Sequence, residues 1–425
     1  MPALLRFFGL HDASAAERRA TVWIGLMFLC SLASTFLLRP LRDQFGVDQG
    51  VVGLPYLYSL TLLVTALCVP PFWWLANRLP SRRFVPIVLH VCAAGLVLLA
   101  FGLSAIGEYQ WQNVPWLGEC FWGGFSALNV IVPSLVWIHA VEHFRRDQGR
   151  RLFGLVAVGG TLGAVAGSWL AGLLSKETSP WVAGVVAATL LECAFACFLA
   201  SLPACRAMRS TGDVQPPVAA GGAFAGLKLL ARDGYVRTIG AYMMLLGMLA
   251  TAFAAAQTEL VGAQIGGGRS QHSLLASVEF WSQTLVLCLQ LFCTGRLLRR
   301  LPPTVFLIAL PVLSIVGLGV LWLWPVVLAI NLVQIGRRGT QYAFEKPARE
   351  VLYTPLDLET KHKVKFLFDT FAFRLGDLIG AVMQVQLRAL QLGTGGVVAA
   401  TIGVALLWVV LGVALGRRRV QRPSI

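Results

Sequence analysis

The residues in this sequence best suited to chemistry are ionisable side chains set inside long apolar runs. Arg39, Arg42 and Asp43 close the first such run, and Arg39 and Asp43 stand at i, i+4, a spacing that lets them pair. Glu119, Trp122, Ser126, Asn129, Pro133 and Trp137 recur every three or four residues, so a helix presents them on one face. Glu192 lies near the middle of a later run, with no partner in its own segment. Then come Glu259, the one-sided set Glu279, Gln283 and Gln290, the adjacent pair Arg337 and Arg338, and the series Asp369, Thr370, Arg374, Asp377, Gln384 and Arg388. Neighbouring helical positions point about 100° apart, so one of Arg337 and Arg338 is expected to face a cavity. An ionisable group at a helix centre in hydrocarbon costs about 2.5 to 3.5 kcal/mol, so it normally finds a partner or a watered chamber. Arginines facing such a chamber suit a phosphate or carboxylate, whose oxygens the guanidinium fork grips bidentately. Structural ion pairs, snorkelling at helix ends and interhelical hydrogen bonds would leave the same pattern.

The elements that must carry these residues follow from composition. The chain has 425 residues, 57% of them hydrophobic and 13% charged, with a mean hydropathy of +0.71. That places it outside ordinary soluble domains, and the bilayer is its main solvent. A net charge of +15 could suggest nucleic acid, but the basic residues fall in short loops between apolar runs, which points to membrane orientation and excludes a nucleic-acid partner. The nine cysteines lie in or beside apolar runs with no metal-ligand spacing; Cys193 and Cys197 share a face without a nearby histidine, so no metal site and no cofactor are expected. The glycines at 154, 159, 160, 163, 167 and 172 follow no strand and lack a Lys-Ser/Thr ending, which reads as close helix packing and not a phosphate loop. No nucleophile elbow or zinc-type motif occurs, so the chain is not expected to be an enzyme.

A crossing needs roughly 20 apolar residues. Helices are expected near 20–42, 51–76, 84–106, 116–141, 151–174, 180–202, 236–261, 273–295, 304–323, 325–345, 363–390 and 395–416, giving an all-α membrane protein with twelve transmembrane helices. The first run follows Arg18-Arg19, is of full spanning length and has no small-residue cleavage site, so it reads as a retained helix. Every second loop is basic, from Arg78, Arg82 and Arg83 to Arg296, Arg299 and Arg300 and the tail Arg417, Arg418, Arg419 and Arg422. The loops between carry Asp48, Glu108, Lys176, Glu177 and Arg269. This alternation puts both termini in the cytoplasm. Residues 203–235 read as a cytoplasmic linker with an amphipathic segment from Phe224 to Arg237, between an N-terminal six-helix bundle (1–202) and a C-terminal one (236–425).

The loop Trp74-Leu75-Ala76-Asn77-Arg78-Leu79-Pro80-Ser81-Arg82-Arg83 has a counterpart in Gly295-Arg296-Leu297-Leu298-Arg299-Arg300-Leu301-Pro302-Pro303. Two parallel halves of six helices are the layout of the major facilitator superfamily, a 6+6 pseudo-twofold bundle with its site at mid-membrane. The first loop resembles that superfamily's signature, with Asn77 where aspartate is usual. More specific strings are Leu38-Arg39-Pro40-Leu41-Arg42-Asp43, Arg151-Leu152-Phe153-Gly154 through Gly159-Gly160-Thr161-Leu162-Gly163, and Lys346-Pro347-Ala348-Arg349-Glu350-Val351-Leu352-Tyr353-Thr354-Pro355-Leu356. The last runs on through Lys361, Lys363, Lys365 and Asp369 to Arg374-Leu375-Gly376-Asp377. These strings resemble the ATP/ADP translocase family of nucleotide exchangers from plastids and intracellular bacteria, with its bacterial relatives, and the likeness spans nearly the whole chain. In that family charged residues of helices one, four, seven and eleven are implicated in nucleotide transport, and by motif position these fall on Arg42, Glu119, Glu259 and Asp377. Nucleotide exchangers carry lysine at the positions of Arg42 and Asp377. The second difference replaces a cation by an anion, which weakens polyphosphate binding by repulsion.

Residues and resemblance together predict an alternating-access secondary transporter for a small organic anion of the nucleotide class, a monomer in a bacterial inner membrane. Its expected substrate-binding residues are Arg39, Arg42, Glu119, Asn129, Glu259, Arg337, Arg374 and Asp377, and Glu119, Glu192 and Asp377 are expected to couple ions. The alternative is a proton-coupled transporter or exporter of another small molecule. A membrane scaffold or sensor is a third class, disfavoured because it has no need of charges on several helices.

Overall fold

The computed structural model describes residues 13–209, 230, 233–356, 360, 364–365 and 367–420, so most of the expected linker, along with Lys361 and Lys363, lies outside the described residues. All regular elements among the described residues are helical. Helix α1 (Ala15–Arg78) starts where a capping box sets it: the Ser14 hydroxyl accepts from the Glu17 N–H at 3.1 Å, and the Glu17 carboxylate accepts from the Ser14 N–H at 2.6 Å. The same carboxylate accepts from Gln148 Nε2 at 2.7 Å and meets Arg151 at 3.9 Å. Thus the first turn of α1 is tied to the start of α4 (Arg146–Glu177).

A 64-residue helix is roughly three bilayer cores long, and α1 breaks once, at Gly50, whose φ of 64° is open mainly to glycine. The loop expected near 43–50 is therefore helical almost to the break, and the first two expected spans form one kinked helix. Next come α2 (Ser81–Ile106), α3 (Pro115–His143), α4, α5 (Pro180–Arg209), α6 (Gly234–Gln264) and α7 (Arg269–Leu289). A π-helical turn joins α7 to α8 (Gly295–Arg300), and α9 (Pro303–Leu323) follows. Helix α10 (Val327–Thr340) passes through the π-helical turn Gln341–Glu345 into α11 (Lys346–Leu352). Another such turn, Phe368–Ala372, opens α12 (Phe373–Ala389), and α13 (Gly393–Val420) ends the described chain.

Among the described residues, nine helices are long and apolar enough to cross a membrane, and α1 is one of them. The expected spans 325–345 and 363–390 are not in that set. Both contain a π-helical turn, Gln341–Glu345 at the end of the first and Phe368–Ala372 near the start of the second, and both carry dense charges. Twelve separate apolar helices are thus not found as such.

The chain divides into two compact units. One comprises Met1–Arg42, Cys68–Ala219 and His272–Phe280; the other Asp43–Leu67, Ala220–Gln271 and Trp281–Ile425. In the first, Gly159, Gly163 and Gly167 of α4 back onto the carbonyls of Gly25, Leu29 and Ala33 of α1, where any Cβ would collide. The glycine run is thereby a helix-packing stripe. In the second unit Gly376 and Gly380 of α12 back onto Met244 and Met248 of α6, while Gly247 of α6 meets the Phe373 carbonyl. This contact seats the string Arg374-Leu375-Gly376-Asp377 rigidly beside α6. The core here gathers Phe253, Leu310, Ile330 and Trp408, and Tyr242 donates to the Leu307 carbonyl at 2.9 Å.

Candidate functional site

In the second unit a ladder of amides ends on a buried arginine. Gln257 Nε2 donates to Asn331 Oδ1 at 3.0 Å, Gln334 Nε2 donates to Gln257 Oε1 at 3.2 Å, and Arg337 gives Nε and Nη2 to Gln334 Oε1 at 3.3 and 3.2 Å. Asn331, Gln334 and Arg337 occupy successive turns of α10, facing α6, so one polar edge runs down an otherwise apolar helix. The Arg337 guanidinium lies 5.2 Å from the Phe253 ring centre, and the residue is only 4% exposed. Its Nη1 has no hydrogen-bond partner among the described residues. The charges of Arg338 and Asp377 both act on it, yet it forms no ion pair among the described residues.

The neighbouring charges are satisfied differently. Arg338 meets Asp43 at 3.9 Å. Arg374 pairs with Asp377 at 3.2 Å, as the i, i+3 spacing predicts, and Thr251 donates to the other Asp377 oxygen at 3.3 Å. Arg388 holds Glu259 at 2.6 Å. The adjacent arginines of α10 thus part ways: one is matched by a carboxylate and the other by amides alone.

In the first unit Arg39 meets Glu279 of α7 at 3.3 Å, and the Arg42 guanidinium stacks 3.7 Å from the Trp122 ring centre, with Phe125 at 5.7 Å. Glu119 is half-buried one turn from Trp122 and has no hydrogen bond or ion pair among the described residues. Asn129 is exposed, Ser126 donates to the Trp122 carbonyl within its own helix, and Trp137 packs edge-on against Phe28 and Phe153. The expected stripe of α3 is therefore mixed, its upper half beside Arg42 and its lower half packing. Glu192 lies on an exposed face of α5, 3.0 Å from His90 of α2, a partner on another helix that inspection of its own segment does not reveal.

The structure thus groups Arg42 with Trp122 near Glu119, and Arg337 with Arg374 and Asp377, while Arg39, Glu259 and Glu192 sit in local pairs. Sequence reasoning missed Gln257, Asn331 and Gln334. The signal of Asn331 and Gln334 was present as amides at three-residue steps ahead of Arg337, inside a run that is otherwise apolar, whereas nothing near Gln257 announced it. The most specific motif string is a structural knot: Arg349 pairs with Glu345 at 3.6 Å, Lys365 with Glu350 at 2.7 Å, and Tyr235 donates to the Leu352 carbonyl at 2.8 Å. Burial pushes the Tyr353 phenol above its ordinary range.

Residues 278–421 match the family model described as TLC ATP/ADP transporter. That match bears out the resemblance to the ATP/ADP translocases. It covers α12 and the amide ladder's helix α10, so Arg337, Arg374 and Asp377 all lie within the matched residues. No curated protein matches the chain in sequence. Among solved structures, a bacterial homolog to the human lysosomal transporter Spinster is similar with a TM-score of 0.60 at 11% identity, over 97% of this chain and 98% of that one. The nucleoside transporter NupG is similar with a TM-score of 0.60 at 16% identity, over 96% and 100%. The chain thus shares the fold of these two transporters, and together with the match over residues 278–421 this supports a membrane transporter.

Proposed function

We propose that this chain is an alternating-access secondary carrier of an organic anion of the nucleotide class, working by exchange across a bacterial inner membrane with both termini in the cytoplasm. The observation that carries the reading is Arg337, a buried guanidinium held by amides with one N–H unsatisfied among the described residues. A buried cation without an anion is costly, so a chain that keeps one supplies the anion from elsewhere. A substrate phosphate or carboxylate meets that need, and it accepts the free N–H at the same time. The Arg374–Asp377 pair is close to neutral, which answers the repulsion expected of Asp377 and leaves Arg337 as the charge that selects. Arg42 over Trp122 makes a second cationic surface in the other unit, with Arg39, Glu119, Asn129 and Glu259 as further substrate-binding candidates.

Reconstitution in proteoliposomes tests the proposal. Preloaded nucleotide or phosphorylated metabolite is expected to drive uptake of the labelled counter-substrate, and uptake without any counter-substrate overturns exchange. If ATP exchanges for ADP, one net charge moves per cycle, worth about 2.3 kcal/mol per 100 mV, and the rate responds to an imposed potential.

A second reading rests on Glu119, half-buried and without a partner among the described residues. A carboxylate in that position suits proton coupling, with Glu192 and Asp377 as the other candidates. It predicts uptake driven by a pH gradient alone and lost in Glu119→Gln.

A further inference from the structure

Two histidines and a cysteine that no motif links come together at one end of the first unit. His139 and His143 stand at i, i+4 on the last turns of α3, and Cys205 stands near the end of α5. One ligand atom from each lies within 4.8 Å of the others. His139 and Cys205 are fully buried and His143 is half-buried, so His143 is the member of the cluster nearest to solvent.

The surrounding hydrogen bonds assign the ring protons. The single hydroxyl hydrogen of Ser201 goes to the Phe198 carbonyl at 2.6 Å, so Ser201 Oγ can only accept from His139 Nε2 at 2.8 Å. The lone pair of His139 is then on Nδ1. His143 Nδ1 lies 2.9 Å from the His139 carbonyl, which only accepts, so the lone pair of His143 is on Nε2. Phe198 packs edge-on against the His139 ring at 4.7 Å, and the two imidazoles lie 4.5 Å apart. Each imidazole is thereby oriented by a hydrogen bond from its other nitrogen, the arrangement that fixes tautomer and direction in metal-ligating histidines.

We propose that His139, His143 and Cys205 form an exchangeable site for a borderline-soft divalent cation, zinc by preference. The donor set is two neutral imidazoles and one thiol, which suits zinc and excludes the hard cations that need oxygen. Zinc ligands at about 2.0 to 2.3 Å require the donor atoms to close by about 1 Å, within reach of side-chain rotation. On binding, the Cys205 thiol gives its proton to solvent and the thiolate ligates. Three protein ligands leave the fourth place to water on the His143 side, which makes the ion exchangeable. Positive-inside orientation puts this end of α3 and α5 at the cytoplasmic face, where thiols stay reduced. An ion bound there tethers α3 to α5.

The test uses the full chain, purified and freed of any affinity tag, titrated with cobalt followed by zinc. We expect one equivalent of cobalt to produce a near-ultraviolet thiolate-to-cobalt band that zinc displaces, and zinc to raise the thermal midpoint. Cys205→Ser is expected to remove the band, and His143→Ala to weaken cobalt at least about tenfold. Absence of the band, its survival in Cys205→Ser, or unchanged affinity in His143→Ala overturns the site. If Cys205→Ser does not fold, His143→Ala decides alone, since its half-buried position makes truncation tolerable to the fold.

Discussion

Arg337 and Asp377 are neighbours of opposite charge that do not join: Gln334 holds the guanidinium, while Arg374 and Thr251 hold the carboxylate. The separation keeps a positive charge available inside a helix layer where a direct pair would have cancelled it. Arg337→Gln is therefore expected to cut exchange in proteoliposomes by more than about tenfold while leaving the thermal midpoint equal or higher, because an uncompensated buried charge is removed. A variant that loses stability and keeps transport would assign Arg337 to the fold.

Asp377→Asn acts in the opposite sense. It leaves Arg374, which is largely buried, facing an amide, and breaking such a pair costs about 3 kcal/mol. The thermal midpoint should fall, and the reversed pair Arg374→Asp with Asp377→Arg should recover part of the loss.

The Arg39–Glu279 contact predicts coupling that sequence distance conceals. A double-mutant cycle with Arg39→Ala and Glu279→Ala should give an interaction of about 0.5–3 kcal/mol in thermal stability. Strict additivity would show that the 3.3 Å contact carries no energy.

Two glycines of α4 test the packing stripe. Gly163→Val drives a side chain into the Leu29 carbonyl and should cost about 1–3 kcal/mol, whereas Gly154→Ala enters open space and should be neutral or slightly stabilising. Equal effects at both positions would refute the α1–α4 contact.

Much of this architecture could be read without coordinates. Apolar runs of spanning length and the basic alternation of loops depend only on local composition, because the bilayer acts on each segment separately. Arg374 with Asp377 was legible as well, since i, i+3 spacing on one helix makes neighbours wherever the helix lies. For Gly159, Gly163 and Gly167 the glycine run was also read correctly as packing, because small residues every four positions describe one helix face, while Gly154 and Gly172 face open space.

Other features depended on partners distant in sequence. The helical continuity of α1 through 43–49 turned on where the chain breaks, which Gly50 decides and composition does not. Nothing near Glu192 announces His90, nothing near Arg338 announces Asp43, and no spacing connects Cys205 with His139 and His143.

By itself the sequence determined that this is a helical membrane protein with charges set in its spans, since hydrophobic length and local charge are properties of each segment. Only the tertiary structure decided which of those charges are cancelled and which stay available. Cancellation requires two side chains within a few ångströms, and that distance is set by how helices far apart in the chain pack.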